Sequence, residues 1–309
     1  MAWFTFTDAS DEKFVIRLTN PADISHARGL LAGTETSDPL IAGTVVKEQV
    51  PYNIGWSYHI QDIFFFEVST EVGDSTMRYI EKHLAQVGGA LLPGSVWTGW
   101  SSALVAELDP MHGSAGNDSL EGSHRADIVF GRAGDDAVLS FAGNDYLIGG
   151  AGLDTLGGGS GNDKLNGGAA ADRLKGGTGA DILVGGRGAD ELYAGPDDDK
   201  DRIVYGSKAE LMETDQVFQF DFKGSVSEIL HDRIDLRSID ADADRGGDQA
   251  LRFVDVFGTA GAGQADGQIR VVDQGAGKRV EIDFNGDNLA DAFIVVRNVE
   301  SLSQADFFL

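Results

Sequence analysis

The sequence predicts a mixed architecture: an amino-terminal α+β domain over residues 1–112, an all-β parallel coil over 113–205 and a β-rich segment over 206–309. Three observations carry this reading. All four tryptophans (Trp3, Trp56, Trp97, Trp100) fall in the first segment. Twenty-two of the 42 glycines fall in the second, where an aspartate recurs every nine residues. The third alternates short β-rich runs with turns. At 309 residues the chain has room for more than one core.

In the first segment, Phe14–Leu18 reads as a strand. Asn20 followed by Pro21 reads as an N-cap with proline at the first helical position, opening a helix that stops near Gly33. Residues 45–50 and 57–69 are β-rich, and Asp74 caps a second helix whose Met77, Ile80, Leu84 and Val87 share one stripe before Gly88-Gly89 ends it.

In the second segment Asp118, Asp127, Asp136, Asp145, Asp154, Asp163, Asp172, Asp181 and Asp190 are spaced by nine without slippage. If Asp fills ~6% of positions, eight further coincidences arise by chance on the order of 10⁻¹⁰. Two residues after each comes an apolar one: Leu120, Val129, Val138, Leu147, Leu156, Leu165, Leu174, Leu183 and Leu192. The x-apolar-x piece is too brief for a helix, so it is a strand with its apolar residue inward, and two strands per turn make an eighteen-residue coil. Glycines supply the turns: Gly113, Gly116, Gly131, Gly134, Gly143, Gly149, Gly150, Gly152, Gly158, Gly159, Gly161, Gly167, Gly168, Gly176, Gly177, Gly179, Gly185, Gly186 and Gly188.

Stacking sorts the aspartates into two columns, one holding Asp118, Asp136, Asp154, Asp172 and Asp190 and the other Asp127, Asp145, Asp163 and Asp181. Like charges ~5 Å apart repel by roughly 0.8 kcal/mol per pair even in water, so the columns demand cations. Carboxylate and exposed carbonyl oxygens in a glycine turn are the hard donors that Ca²⁺ prefers. The gaps between stacked aspartates predict about seven shared Ca²⁺ ions. Filling is expected to be uneven, because Arg125, Ser140-Phe141 and Ala170 replace template glycines. Asp199 keeps the nine-residue phase and is expected to close one more site with Asp181. A second, weaker metal candidate is Asp283, Asn285, Asp287 and Asp291, spaced like the front of an EF-hand loop, although Asn285-Gly286 is equally a hairpin turn signal.

Net charge sharpens this. Lys+Arg 24 against Asp+Glu 50 gives −26, which repels nucleic acid and anionic membranes. No cysteine is present, which removes disulfides, thiolate metal sites and cysteine nucleophiles. No long uncharged apolar run predicts a membrane span. The opening residues lack a basic and an apolar region of secretory type, so export is expected by another route.

The repeat G-G-x-G-x-D-x-U-x resembles the RTX (repeats-in-toxin) family. That resemblance implies a parallel β-roll, several bound Ca²⁺ ions and secretion by a dedicated ATP-driven type I exporter. The stretches Asp232-Arg-Ile-Asp-Leu-Arg-Ser-Ile239, Gly267-Gln-Ile-Arg270, Glu281-Ile-Asp-Phe-Asn-Gly-Asp-Asn-Leu-Ala-Asp291 and Ser303-Gln-Ala-Asp-Phe-Phe-Leu309 resemble the carboxy-terminal domain of serralysin-type metalloproteases. There the resemblance implies a cap on the roll and an export signal at the extreme carboxy terminus. The peptidase does not transfer: none of the six histidines forms the i,i+4 pair of H-E-x-x-H, and neither G-x-S-x-G nor a P-loop occurs.

Gly43-Thr-Val-Val-Lys47, Pro51-Tyr-Asn-Ile-Gly-Trp-Ser-Tyr-His59 and Trp97-Thr-Gly-Trp-Ser101 resemble a small domain labelled calmodulin-binding. Tyr52, Trp56, Trp97 and Trp100 form either an aromatic ligand platform or a core; His59 and His83 read as structural or exposed. The expected function is a secreted, extracellular, non-enzymatic calcium-binding protein whose amino-terminal module binds an outside ligand. The alternatives are a secreted enzyme with an unfamiliar site in residues 1–112 and an inhibitor or matrix component.

Overall fold

A computed structural model of the chain describes residues 2–7, 13–18, 20–32, 40–46, 59–66, 96–99, 103–108, 110–221, 231–239, 250–257, 267–285 and 287–309. They form two compact units, Met1–Pro110 and Met111–Leu309.

In the first unit, β1 (Ala2–Thr7) pairs antiparallel with β2 (Lys13–Leu18), with Phe4 and Leu18 buried. Helix α1 (Pro21–Leu31) follows at once. The Asn20 side chain accepts the Ala22 N–H at 2.9 Å, and Pro21, which has no N–H to satisfy, opens the first turn. Ile24 and Ala27, three apart, give the helix its buried side. A second antiparallel sheet joins β3 (Leu40–Val46) to β4 (His59–Phe66) and β5 (Val96–Gly99), and β6 (Ala103–Leu108) returns to β1. These strands and one helix give the unit its α+β character. The expected helix from Asp74 lies outside the described residues.

The second unit is a parallel solenoid of about seven turns. One sheet stacks β8 (Ser119–Glu121), β10 (Ala137–Leu139), β12 (Thr155–Ser160), β14 (Arg173–Thr178) and β16 (Glu191–Tyr193). The other stacks β7 (Pro110–His112), β9 (Ile128–Ala133), β11 (Tyr146–Ala151), β13 (Lys164–Ala169) and β15 (Ile182–Arg187). Leu147 faces Leu165 and Leu165 faces Leu183 in register, which is the eighteen-residue coil that the sequence predicts. Leu147, Leu156, Leu165, Leu174, Leu183 and Leu192 are all fully buried. Each such leucine contributes roughly 1.5–3 kcal/mol of burial.

The sheets run on past residue 205. Strand β17 (Arg202–Val204) adds to β15 and β18 (Asp215–Phe218) to β16. Here the step is no longer eighteen: Leu183 stacks on Ile203, twenty residues on, and Leu192 on Val217, twenty-five on. Strand β19 (Arg233–Asp235) extends the first of these sheets. An antiparallel meander of β21 (Gln268–Asp273), β22 (Gly277–Asp283) and β23 (Ala292–Arg297) closes the end of the other, with β20 (Arg252–Phe253) parallel to β21 at its edge, and Val280, Ile282, Ile294 and Val296 join the same core. The β-rich runs expected in the carboxy-terminal third therefore contain strands, although the run at 251–257 holds only the two-residue β20. The tail ends as β24 (Phe307–Phe308), parallel to β19, with Phe307 buried. Ser303 and Asp306 cap the turn before it reciprocally.

Candidate metal centre

Every turn of the roll treats its aspartate alike. The Oδ1 atom accepts the backbone N–H of the aspartate one turn earlier: Asp118 to Asp136, Asp136 to Asp154, Asp154 to Asp172 and Asp172 to Asp190, each at 2.8 Å. The second column repeats this from Asp127 through Asp145 and Asp163 to Asp181, again at 2.8 Å. Two columns of stacked carboxylates result, with the membership that the sequence predicts.

The other oxygen differs. Among the described residues, Oδ2 of Asp136, Asp145, Asp154, Asp163, Asp172, Asp181, Asp190 and Asp215 is buried with no hydrogen-bond partner. Leaving a buried charged oxygen unpaired costs several kcal/mol or forces protonation, so eight such atoms in two columns are a strong demand for positive charge. Glycine makes the space around them. A Cβ on Gly149 would overlap Asp154 Oδ2 and lie 2.7 Å from the Gly167 carbonyl oxygen. Gly158 and Gly167 stand the same way to Asp163 and Gly176 O, and to Asp172 and Gly185 O. Gly113, Gly131, Gly176 and Gly185 likewise each crowd the carboxylate five residues on. At Gly113, Gly131, Gly149, Gly158, Gly167 and Gly176 the carboxylate oxygen thus shares a confined space with a main-chain carbonyl, a donor set of hard oxygens only. No three His, Asp or Glu side chains converge among the described residues, so each turn offers one carboxylate together with backbone oxygens.

The remaining glycines serve the backbone. Gly152 and Gly161 have φ near +130° and +121°, and a Cβ on either would strike the carbonyl of the turn before, at Gly134 and Gly143. Gly143, Gly150, Gly159, Gly168, Gly177, Gly179, Gly186 and Gly188 share that conformation, whereas Gly116 has open space around it. Within the nonapeptide turns three non-glycine residues are held in the same left-handed region, Arg132, Phe141 and Ala170.

Burial governs the electrostatics. It pushes Asp145, Asp154 and Asp190 up to about 6, Asp163 up to about 7, Asp172 up to about 8 and Asp181 up to about 9, opposed by the backbone N–H each accepts. Column neighbours add to the rise: Asp190 and Asp154 act on Asp172, and Asp201, Asp163 and Asp197 on Asp181.

The structure corrects several expectations. Asp199, predicted to close a site with Asp181, is exposed. Asp201 takes that place: it is buried and its Oδ1 accepts the Asp181 N–H at 2.8 Å, because two extra residues around Pro196 shift the phase. The columns also continue where no nine-residue phase points. Asp190 N–H donates to Asp215 at 2.8 Å and Asp201 N–H to Asp232 at 2.9 Å. Burial raises Asp201 to about 7, and Asp215 and Asp232 to about 8.

At the start of the roll, Asp118 Oδ2 and Asp127 Oδ2 are not orphaned. Ser114 and Ser123 each donate a backbone N–H, at 2.6 Å, and a hydroxyl, at 2.9 and 3.0 Å. Ser140, standing where other turns have glycine, is fully buried and donates its hydroxyl to the Gly158 carbonyl at 2.7 Å, so a side chain enters the confined space beside Asp145. A further ladder escaped sequence reasoning. Asn117 Oδ1 accepts from Asp135 N–H, Asp135 Oδ1 from Leu153 N–H and Asn144 Oδ1 from Asn162 N–H. The signal was the Asn or Asp immediately before the phased aspartate.

The second metal candidate is not brought together. Asp283 accepts the N–H groups of Asn285 and Asn288 at 3.1 and 2.9 Å, and Asp291 accepts that of Phe284 at 2.7 Å. Asn285 Oδ1 takes the N–H of Asp287, and Asp287 Oδ1 that of Leu289. These oxygens are spent on the turn itself; Gly286 lies outside the described residues. So do Tyr52, Trp56, Trp100 and His83, whereas Trp97 and His59 lie in β5 and β4.

Residues 112–140, 142–165 and 166–200 match the RTX calcium-binding nonapeptide repeat (4 copies), and residues 1–111 match the family of the BP-74 N-terminal domain. The roll is therefore an array of RTX calcium-binding repeats, preceded by a domain of that second family. No curated protein matches the chain. Among solved structures, the chain is similar to the solution structure of the AlgE6R3 subunit from the Azotobacter vinelandii mannuronan C5-epimerase. The two are 21% identical, the match covers 63% of this chain and 80% of that one, and the TM-score is 0.28.

Proposed function

We propose that this chain is a secreted, extracellular calcium-binding protein whose roll closes when Ca²⁺ enters the aspartate columns, and which carries a non-enzymatic amino-terminal binding module. The observation that carries the reading is the set of eight buried, unpartnered Oδ2 atoms divided between two columns. Bound Ca²⁺ supplies the charge that offsets their burial and mutual repulsion. Asp136, Asp145, Asp154, Asp163, Asp172, Asp181 and Asp190 would hold it with carbonyls such as Gly167 O and Gly176 O. The same residues stitch successive turns through Oδ1, so cation binding and turn stacking are one event. Extracellular modules bind Ca²⁺ at ~10⁻⁴–10⁻³ M, so a roll of this kind stays open at cytosolic calcium and closes outside.

The serralysin-like ending supports passage through a type I exporter that reads the carboxy-terminal tail. No helix among the described residues is long and apolar enough to cross a membrane. Support for a binding module rather than an enzyme is the lack of recognisable catalytic motifs in residues 1–112. Calcium titration of the full chain by circular dichroism tests the central part: β signal should be gained with calcium and lost on chelation. An unchanged spectrum in chelator contradicts it. Deleting the last segment should retain the protein in cells, and normal export of that truncation contradicts the tail's role.

A further inference from the structure

The core and the aspartate columns use only part of each repeat. In the sheet that runs from β8 to β18 the inward positions are Leu156, Leu174, Leu192 and Val217, so the residues on either side of each point out of the roll. In β10 and β12 these outer positions are uncharged: Ala137, Leu139, Thr155 and Gly157. From β14 onward they carry cations and aromatic rings. Arg173 stands in register with Glu191, and in the next row Lys175, Tyr193 and Phe218 stand in register with one another. Strand β23 follows β18, and its Arg297 lies on this outer face because Val296 is inward.

The rings form a ladder. Tyr193 and Phe218 stack at 4.6 Å with their planes 11° apart, and Arg173 and Lys175 lie 5.9 and 5.8 Å from the Tyr193 centroid. Carboxylates do not balance the charge. Glu191 pairs with Arg173, and Glu281 on β22 is shared by Arg270 and Arg279. Asp283, farther along β22, is spent on its own loop. Lys175 is exposed and, among the described residues, has no ion-pair partner; Arg297 donates to the uncharged Gln216 at 2.8 and 3.1 Å. Asp197, Asp198 and Asp221, which line a cavity with Arg297, mark the limit of the positive strip. In a chain of net charge −26 such a strip runs against the composition.

We infer that this outer face docks a linear carboxylated polysaccharide. Successive strands are ~4.8 Å apart, so Lys175, Tyr193, Phe218 and Arg297 make a row about 14 Å long, with a cation at each end and aromatic surface between. A chain of acidic sugar rings offers the matching alternation, carboxylates for the ammonium and guanidinium groups and C–H surface for the rings. A row without a deep pocket suits an extended polymer better than a protein partner, whose anchoring side chains need pockets to fill. At physiological salt, charges more than about 8 Å away are largely screened, so the strip and not the net charge governs a ligand lying on it. The inference goes beyond the calcium reading and requires only that the roll be folded.

The test is binding of the full chain to immobilised polygalacturonate at saturating calcium, with neutral dextran and a single-stranded oligonucleotide alongside and circular dichroism to check that each variant is folded. Polygalacturonate should bind, and bind more weakly as salt rises, while dextran should not bind. Lys175→Glu should weaken binding about tenfold and Tyr193→Ser about threefold. Arg187→Glu, the same charge change at the exposed end of β15 in the other sheet, should leave it as it is. A folded parent chain that does not bind polygalacturonate overturns the inference and leaves the calcium columns standing. Equal losses from Lys175→Glu and Arg187→Glu also overturn it, because bulk charge or bridging calcium then holds the polymer. Equal binding of the oligonucleotide overturns it too, since the face then selects charge alone.

Discussion

Two aspartate-rich regions of this chain solve the same chemical problem in opposite ways. In the roll, the carboxylates from Asp136 to Asp190 each give one oxygen to the N–H of a residue a full turn away and keep the other buried and unpaired. In the loop from Asp283 to Asp291, the carboxylates fold back on their own segment and accept N–H groups two to seven residues distant. The loop has the linear spacing of the front of an EF-hand and the roll a nine-residue phase, yet of these two regions the roll is the one that leaves buried oxygens unpaired. What makes a ligand here is the stacking of turns and not the spacing of acidic residues along the chain.

The largest way to break the contrast is to withdraw calcium. Chelation should remove most of the β signal and the cooperative melt of residues 111–309, because all eight unpaired oxygens depend on it. A melting temperature unmoved by chelator would place both regions in the same class.

The glycines give the next effect. Gly161→Ala puts a Cβ against the Gly143 carbonyl at a left-handed φ of +121° and should cost about 2–4 kcal/mol in calcium. Gly275→Ala, also left-handed at +60° but with nothing within 4 Å, should cost only about 1 kcal/mol. Chemical denaturation of both variants at fixed calcium reads the difference; equal costs contradict the stacked-carbonyl geometry.

Acid should partly substitute for calcium. Burial raises the folded-state values of Asp145, Asp154, Asp163, Asp172, Asp181 and Asp190 to between about 6 and about 9, against ~3.9 in the unfolded chain. The folded roll therefore binds more protons. The stabilisation from this source is complete below ~4 and is lost as pH rises through about 6 to 9. Calcium-free protein should show more β structure by circular dichroism at pH 5 than at pH 9; the reverse order contradicts the burial account. In calcium, the same protons compete with the metal, so apparent affinity should fall on acidification.

The smallest effect belongs to the loop. Asp287→Asn should leave the calcium titration unchanged and shift stability by under about 0.5 kcal/mol, since an amide oxygen can still accept the Leu289 N–H. A lost calcium ion in that variant would return the loop to the ligand class.

Much of this arrangement is legible in the residues themselves. The nine-residue phase locates the columns, the inward leucines and the turn glycines because a solenoid repeats the same local physics at every step. The Asn20-Pro21 cap marks the start of α1 for an equally local reason. Legibility ends where the step changes length. Asp201, Asp215 and Asp232 join the columns after insertions of two or more residues, and only their pairing with Asp181, Asp190 and Asp201 reveals it. Ser114 and Ser123 are hidden for another reason: a serine hydroxyl that satisfies a carboxylate looks in sequence like a harmless small turn residue.

The most direct test of the columns is a pair of calcium titrations followed by circular dichroism. Asp154 lies mid-column, accepting the Asp136 N–H and donating its own to Asp172, with Oδ2 buried and unpaired. Glu121 is exposed and outside the phase. Asp154→Ala should raise the calcium midpoint for folding about tenfold and broaden the transition, whereas Glu121→Ala, which removes the same charge, should leave both unchanged. Equal shifts in the two variants would mean that overall acidity, and not a stacked ladder of carboxylates, holds the calcium.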